Sequence, residues 1–249
     1  MNIEEIRDLK EHYVENIYSN VREEQKIDDT YINDTFSVPE IKEPHVLYRS
    51  GIGNRIVNAP AEHIVTSNPQ VFFYPHKKTN ATQESARKLS EVINQQWLPL
   101  IQKQNPNIFQ EFIKNLLGRG EGYFHVDYVK DGELPVKFDV PDAMVVFGSP
   151  EESMEGIPEK VIVWYSISQF KDLVPKYPVL KDYVPKDSND TSVTWLEYYD
   201  SETRYIEVAE QALTKNGVQP NIYGFAPFVR KYSGFGRRSP DGALASLIV

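Results

Sequence analysis

Residues 105–128, NPNIFQEFIKNLLGRGEGYFHVDY, change character halfway along. Asn105-Pro106-Asn107 is a turn with the signature of a helix start, and Ile108, Phe109, Phe112, Ile113, Leu116 and Leu117 then recur at helical spacing. After Gly118, Gly120 and Gly122 the apolar residues alternate instead, which predicts a half-buried strand over Tyr123–Val129. The order is helix, glycines, strand. A loop that cradles a dinucleotide needs strand, glycines, helix, so that a helix N-terminus faces the pyrophosphate. The three glycines therefore form a structural motif that ends a helix, with Gly118, Gly120 or both at positive φ, and swings the chain into a sheet.

Upstream of this stretch the sequence predicts helices. Ile3, Ile6, Leu9, Tyr13, Val14, Ile17, Tyr18 and Val21 make one wide apolar face, so the first helix docks on something. Residues 26–45 are polar, and Pro39 and Pro44 mark them as irregular. A second helix spans Ile52–Ser67 with Pro60 inside it, followed by a short β-prone run at Val71–Tyr74. A third covers Thr82–Leu98, with a stripe of Ala86, Leu89, Val92, Ile93 and Trp97, and Pro99 stops or bends it.

Downstream, strands dominate. Lys130-Asp131-Gly132 turns the chain, and Val136–Val140 pairs back as a hairpin. Further strands fall at Met144–Phe147, Val161–Ser166, Val193–Asp200 and Arg204–Val208, with a short helix at Ser168–Leu173. Helices first and strands second predict an α+β fold, N-terminal helices followed by a mainly antiparallel sheet. Residues 1–45 read as an N-terminal helix and irregular arm, 46–235 as one α+β domain, and 236–249 as the start of a further helix.

The chemistry-bearing residues form no catalytic constellation. The chain has 249 residues, a formal net charge of −9 and no cysteine, so disulfides and thiolate metal sites are excluded. A protein built to grip phosphates would carry a basic excess. His12, His45, His63, His76 and His125 show no zinc-ligand spacing, and no G-x-S-x-G nucleophile elbow exists. Gly234-Phe235-Gly236-Arg237-Arg238-Ser239 lacks the Gly-Lys-Ser/Thr ending of a P-loop. No catalytic residue, metal ligand or cofactor is assigned.

Several segments together resemble the portal proteins of tailed bacteriophages. The helix–glycine–strand step at 105–128 is one. Val140-Pro141-Asp142-Ala143-Met144-Val145-Val146-Phe147 is similar to a short "dp..vf" segment of that family, and Asn54–Pro69 to its early helix ending in proline. Tyr223–Val229, with Pro227 and Phe228, resembles its "G-x-x-P-F-V" strand. Gly236, Ser239 and Pro240, with Leu244 and Leu247, resemble a "G-x-S-P" step into a long helix. The order of these motifs from about residue 50 onward carries the likeness; none is specific alone.

The resemblance implies a portal wing-like fold and a structural role without chemistry. The subunit would belong to a dodecameric ring at one capsid vertex, through which double-stranded DNA is packaged and ejected. Its partners would be further copies of itself, the major capsid and scaffolding proteins, the terminase large subunit, a head-completion or tail adaptor, and passing DNA, held weakly and without sequence preference. Its location would be the virion, and the host cytoplasm during assembly. The family continues beyond the point matched by Val249, so the resemblance implies the N-terminal, wing portion of a longer subunit whose stem helix opens near 236–249. Two alternatives remain open. One is a polymer-acting hydrolase with a diffuse carboxylate site, its groove lined by aromatics such as Trp164, Trp195, Tyr198 and Tyr199. The other is a different head–tail connector protein.

Overall fold

The computed structural model describes residues 1–37, 49–66, 70–75, 77–103, 107–129, 135–150, 156–167, 192–213 and 217–233. The expected Lys130-Asp131-Gly132 turn, the helix at Ser168–Leu173, the 45/46 domain boundary and the Gly236, Ser239 and Pro240 step all lie outside these residues. The fold is α+β, with helices in the N-terminal part and antiparallel sheets after them.

The first helix begins with a capping box, in which the Asn2 side chain accepts from the Glu5 backbone N–H and the Glu5 carboxylate accepts from that of Asn2. Helix α1 (Ile3–Glu11) passes through a π-helical turn at His12–Ile17 into α2 (Ser19–Ile32). The helix thus reaches well past the expected end, into residues that polarity marks as irregular. The cause is visible in α2, which buries Val21, Arg22, Gln25 and Asp28. Three of these four are polar, so counting apolar residues misses the buried face.

Helix α3 (Ile52–Thr66) continues through Pro60 and packs by a narrow seam of Gly53, Val57 and Ala61. A Cβ on Gly53 would lie 2.4 Å from the Tyr31 carbonyl oxygen, so only glycine lets α3 approach α2 this closely. Helix α4 (Asn80–Val92) runs through a second π-helical turn, Ile93–Trp97, into the short α5 (Leu98–Gln102), which carries Pro99 in its first turn. Helix α6 (Ile108–Arg119) then leads into the sheets.

Residues 71–75 do not form a strand. Their backbone is pinned to side chains along the neighbouring helix instead: Asn94 exchanges two hydrogen bonds with Val71, at 2.8 and 2.7 Å, and the Ser90 hydroxyl accepts from Phe73 N at 3.0 Å. The β-prone run takes no regular secondary structure, and among the described residues no strand pairs with it.

Strand β1 (Glu121–Tyr128) is central in a three-stranded antiparallel sheet, between β2 (Val136–Asp139) and β9 (Phe228–Tyr232). The second sheet has the order β3 (Val146–Gly148), β4 (Val161–Ile167), β5 (Val193–Tyr199), β6 (Thr203–Val208), β7 (Gln211–Ala212), and β8 (Gln219–Pro220) also pairs with β6. The strand expected at Met144–Phe147 starts later. The Asp142 side chain accepts from Met144 N at 2.9 Å and holds Ala143–Val145 in a 3-10 turn before β3. Asp200 accepts from Glu202 N and Thr203 N at 2.8 and 2.6 Å, which closes the β5–β6 hairpin.

The apolar face of the first helices docks on the second sheet. Ile6, Tyr13, Tyr18 and Val21 share a core with Phe147, Ile162, Leu196, Tyr198 and Tyr205. Tyr198 and Tyr199, candidates for an exposed groove, are fully buried and belong to opposite faces of β5. On its other face the second sheet packs Val161, Val163 and Tyr199 against Tyr123 and Phe228 of the first sheet.

A buried ion pair ties the helices to the sheets. The Arg22 guanidinium donates to a Glu121 carboxylate oxygen, to Gln25 Oε1 at 2.6 Å and to the Val146 carbonyl at 2.5 Å. It also lies over the Tyr18 and Phe147 rings, at 4.8 and 5.0 Å from their centroids. Removing one member leaves a buried charge uncompensated. Arg22→Met is therefore expected to lower stability by about 3–5 kcal/mol, and Arg22→Met with Glu121→Leu by distinctly less, as read from urea denaturation midpoints.

Candidate functional site

The helix–glycine–strand junction is built from three glycines with three separate tasks. Gly120 has φ of +79° and caps α6 in the left-handed conformation. Gly118 is helical, not left-handed as the sequence allowed: it lets α6 approach α2 and α3, since a Cβ there would lie 2.9 Å from Ile32 Cδ1. Gly122 sits in β1, where a Cβ would meet the Phe112 ring at 3.0 Å. That ring is needed in place, stacked on Phe124 with centroids 4.1 Å apart.

The carbonyl end of α6 points at this junction, and two acceptors there are met by the protein. Gln25 Nε2 donates to the Arg119 carbonyl at 2.8 Å, and Ser233 N to the Gly120 carbonyl at 2.8 Å. A helix C-terminus carries partial negative charge and disfavours a phosphate. Arg119 itself pairs with Asp29 at 2.9 Å and Asp142 at 3.2 Å, which joins α2, α6 and the turn before β3.

Pro227 and Phe228 lie beside the junction. The Pro227 carbonyl accepts from Val126 N at 2.9 Å, and Phe228 pairs with His125 across β1 and β9. The Phe228 ring is buried and stacks on the His125 imidazole, with centroids 4.4 Å apart and planes 10° from parallel. Gly224, at φ of +69°, makes the turn ahead of this strand.

Between the two sheets runs an open groove of about 790 Å³. It brings His125 and Asp127 of β1 together with Asp139 of β2, Glu197 of β5 and Arg204 of β6; Tyr165 and Trp195 stack at one wall, 6.1 Å apart. These residues were not singled out as a group in the sequence. Alternation places 125 and 127, or 195 and 197, on one face of a strand, but the packing of one sheet against the other has no local signature.

The carboxylates of the groove are already engaged. Asp127 accepts from the Tyr223 hydroxyl, Asp139 pairs with Lys137, and Glu197 accepts from the Tyr199 hydroxyl at 2.5 Å and faces Arg204 at 3.7 Å. Burial, reinforced by the charge of Glu197, holds the Tyr199 hydroxyl well above its ordinary range, so it stays protonated as the donor. His125 Nε2 is buried without a hydrogen-bond partner among the described residues. No group of three or more acidic and histidine side chains placed to hold a metal ion occurs among the described residues. Among them, too, no helix is long and apolar enough to cross a membrane. No protein-family model matches the chain, and no curated protein matches its sequence.

The junction predicts that Gly120→Val costs at least about 1–2 kcal/mol, because a side chain is strained in the left-handed region, and a thermal melt reads the loss. The groove predicts a pH effect. Burial lowers the His125 pKa below the ordinary value, against the pull of Glu197, Asp127 and Asp139. The unfolded chain then binds the extra proton first, so this contribution is fully present above about pH 6.5 and is lost as pH falls below it. His125→Phe, which keeps the stack on Phe228, should lose less melting temperature than the wild type between about pH 7.5 and pH 5.

Proposed function

We propose that this chain is a structural subunit of a closed ring, and that the ring is the portal through which a tailed bacteriophage packages and ejects its DNA. One observation carries the proposal. Two of the segments that carry the family likeness are distant in sequence yet adjacent in space where the structure describes them, at 107–128 and 223–229, with His125 opposite Phe228 in the β1–β9 pair. Their contiguity in one sheet supports reading them together as one module. The third segment, 140–147, adjoins them through Arg119 and Asp142.

Charge supports the same role. A net charge of −9 suits a wall that DNA slides past, because many phosphate contacts would hold the duplex in place. The subunit performs no chemistry in this proposal, and the terminase large subunit supplies the ATPase. Capsid, scaffolding and head-completion proteins are the other proposed partners, in the virion and in the host cytoplasm during assembly.

A polymer-acting hydrolase is the alternative, favoured by the convergence of Asp127, Asp139, Asp142 and Glu197 on the groove. Their existing partners weigh against it, because each would have to be released before a substrate could be engaged.

Electron microscopy of the protein, with any coding sequence beyond residue 249 included, distinguishes these outcomes. Closed rings with a central hole, and no ATP turnover by the purified protein, are expected. A protein that stays monomeric at high concentration, or that degrades a polymer in a manner abolished by Glu197→Gln, overturns the portal.

A further inference from the structure

The groove between the two sheets keeps bonding capacity that the fold does not use. Asp127 receives both of its donors, the Tyr223 hydroxyl and the Tyr128 backbone N–H, on Oδ1. Glu197 likewise meets the Tyr199 hydroxyl and Arg204 through Oε1. Asp127 Oδ2 and Glu197 Oε2 have no partner among the described residues, and both side chains line the groove. An ionised carboxylate oxygen only accepts, so a ligand must bring it an N–H or an O–H.

Charge narrows the donor. Lys137 meets Asp139, and Arg119 meets Asp142 from outside the groove. Asp127 and Glu197 are left with Arg204, two negative charges to one positive. His125 adds none at neutral pH, because burial lowers its pKa from the ordinary value. Glu197 is largely buried, so water screens its charge less than at an open surface. A cation is favoured over a neutral hydroxyl.

The walls select the shape of that cation. The Tyr165 and Trp195 rings, 6.1 Å apart and 26° from parallel, make one flat wall, and Val163, Ile167 and Ile206 add aliphatic surface. A guanidinium is planar, stacks on aromatic rings, donates two N–H groups side by side and is more weakly hydrated than an ammonium.

We infer that the groove binds a guanidinium group on an aliphatic stem, its N–H groups donating to Asp127 Oδ2 and Glu197 Oε2, its plane against Tyr165 and Trp195. A free alkylguanidine and an arginine side chain of a partner protein share this chemistry. Binding a cation breaks neither the Tyr223 nor the Tyr199 hydrogen bond, whereas proton transfer would require a carboxylate released from its donors; the groove holds the ligand without reacting with it. The site stands on the groove alone and needs no ring.

Tryptophan fluorescence tests it. n-Butylguanidinium should give a saturable change, and n-butylurea, the same shape without the charge, should bind at least about tenfold more weakly. Asp127→Asn keeps an acceptor for the Tyr223 hydroxyl but removes the charge; it should weaken n-butylguanidinium about tenfold with an unchanged circular dichroism spectrum. Trp195→Phe, which retains an aromatic wall, should remove the signal. Acetyl-Gly-Arg-Gly-amide separates the sources: tighter binding than n-butylguanidinium assigns the groove to an arginine of a partner protein, weaker binding to a free guanidine. No saturable response to either cation, equal affinity for n-butylurea, or an affinity unmoved by Asp127→Asn overturns the site. A response unchanged in Trp195→Phe places the ligand elsewhere and overturns it too. Preference for cellotetraose over both cations overturns it in favour of the hydrolase. Closed rings without guanidinium binding count against the groove site alone, and binding without rings counts against the portal alone.

Discussion

Arg22 and Glu121 meet in the interior, almost without solvent, and three parts of the chain depend on that meeting. Arg22 comes from the second helix, Glu121 opens β1, and the Val146 carbonyl that Arg22 also holds opens β3. Glu121 in turn accepts from Gln25 and from the Tyr123 hydroxyl, both at 3.2 Å. Burial, with the adjacent Glu121 charge, pushes the Tyr18 hydroxyl up to about 12, so it remains a donor, to the Gly148 carbonyl at 2.5 Å. Such a network adds little net stability over a well-packed apolar core, but it tolerates only one arrangement. A slip of the helix or of either strand would strand a charge.

The junction that follows inherits its geometry from this pair. Gln25, one turn beyond Arg22, reaches the carbonyl end of α6, and Gly120 reverses the chain so that Glu121 points inward. Arg230 of β9, also fully buried, reaches the Ser149 carbonyl at 3.0 Å. Arg22 and Arg230 thus both donate to backbone carbonyls at or just beyond β3.

Helix α4 and the segment 70–75 show the opposite balance. Asn94 and Ser90 hold the segment by hydrogen bonds to its backbone, and no residue from Asn80 to Trp97 is buried. One half of the molecule is over-determined and the other offers surface.

By itself the sequence determined what is local. The helix Ile108–Arg119, its Asn107 cap, the glycine stop and the alternation of β1 all depend on neighbours within four residues, so spacing and turn chemistry suffice to read them. The meander of β4, β5 and β6 was legible for the same reason. What the sequence could not express was anything that depends on a distant partner. The continuation of α2 to Ile32 rests on buried polar residues whose partners lie about a hundred residues away, and polarity alone reads as loop. The run at 71–75 has strand-forming residues but no strand beside it among the described residues, and only the tertiary structure decides which edge is paired. Gly118 and Gly120 look alike in sequence, yet one serves a close helix approach and the other a left-handed cap. The groove residues, on β1, β2, β5 and β6, come together through the packing of two sheets, and that packing is set by burial summed over the whole chain rather than by any segment of it.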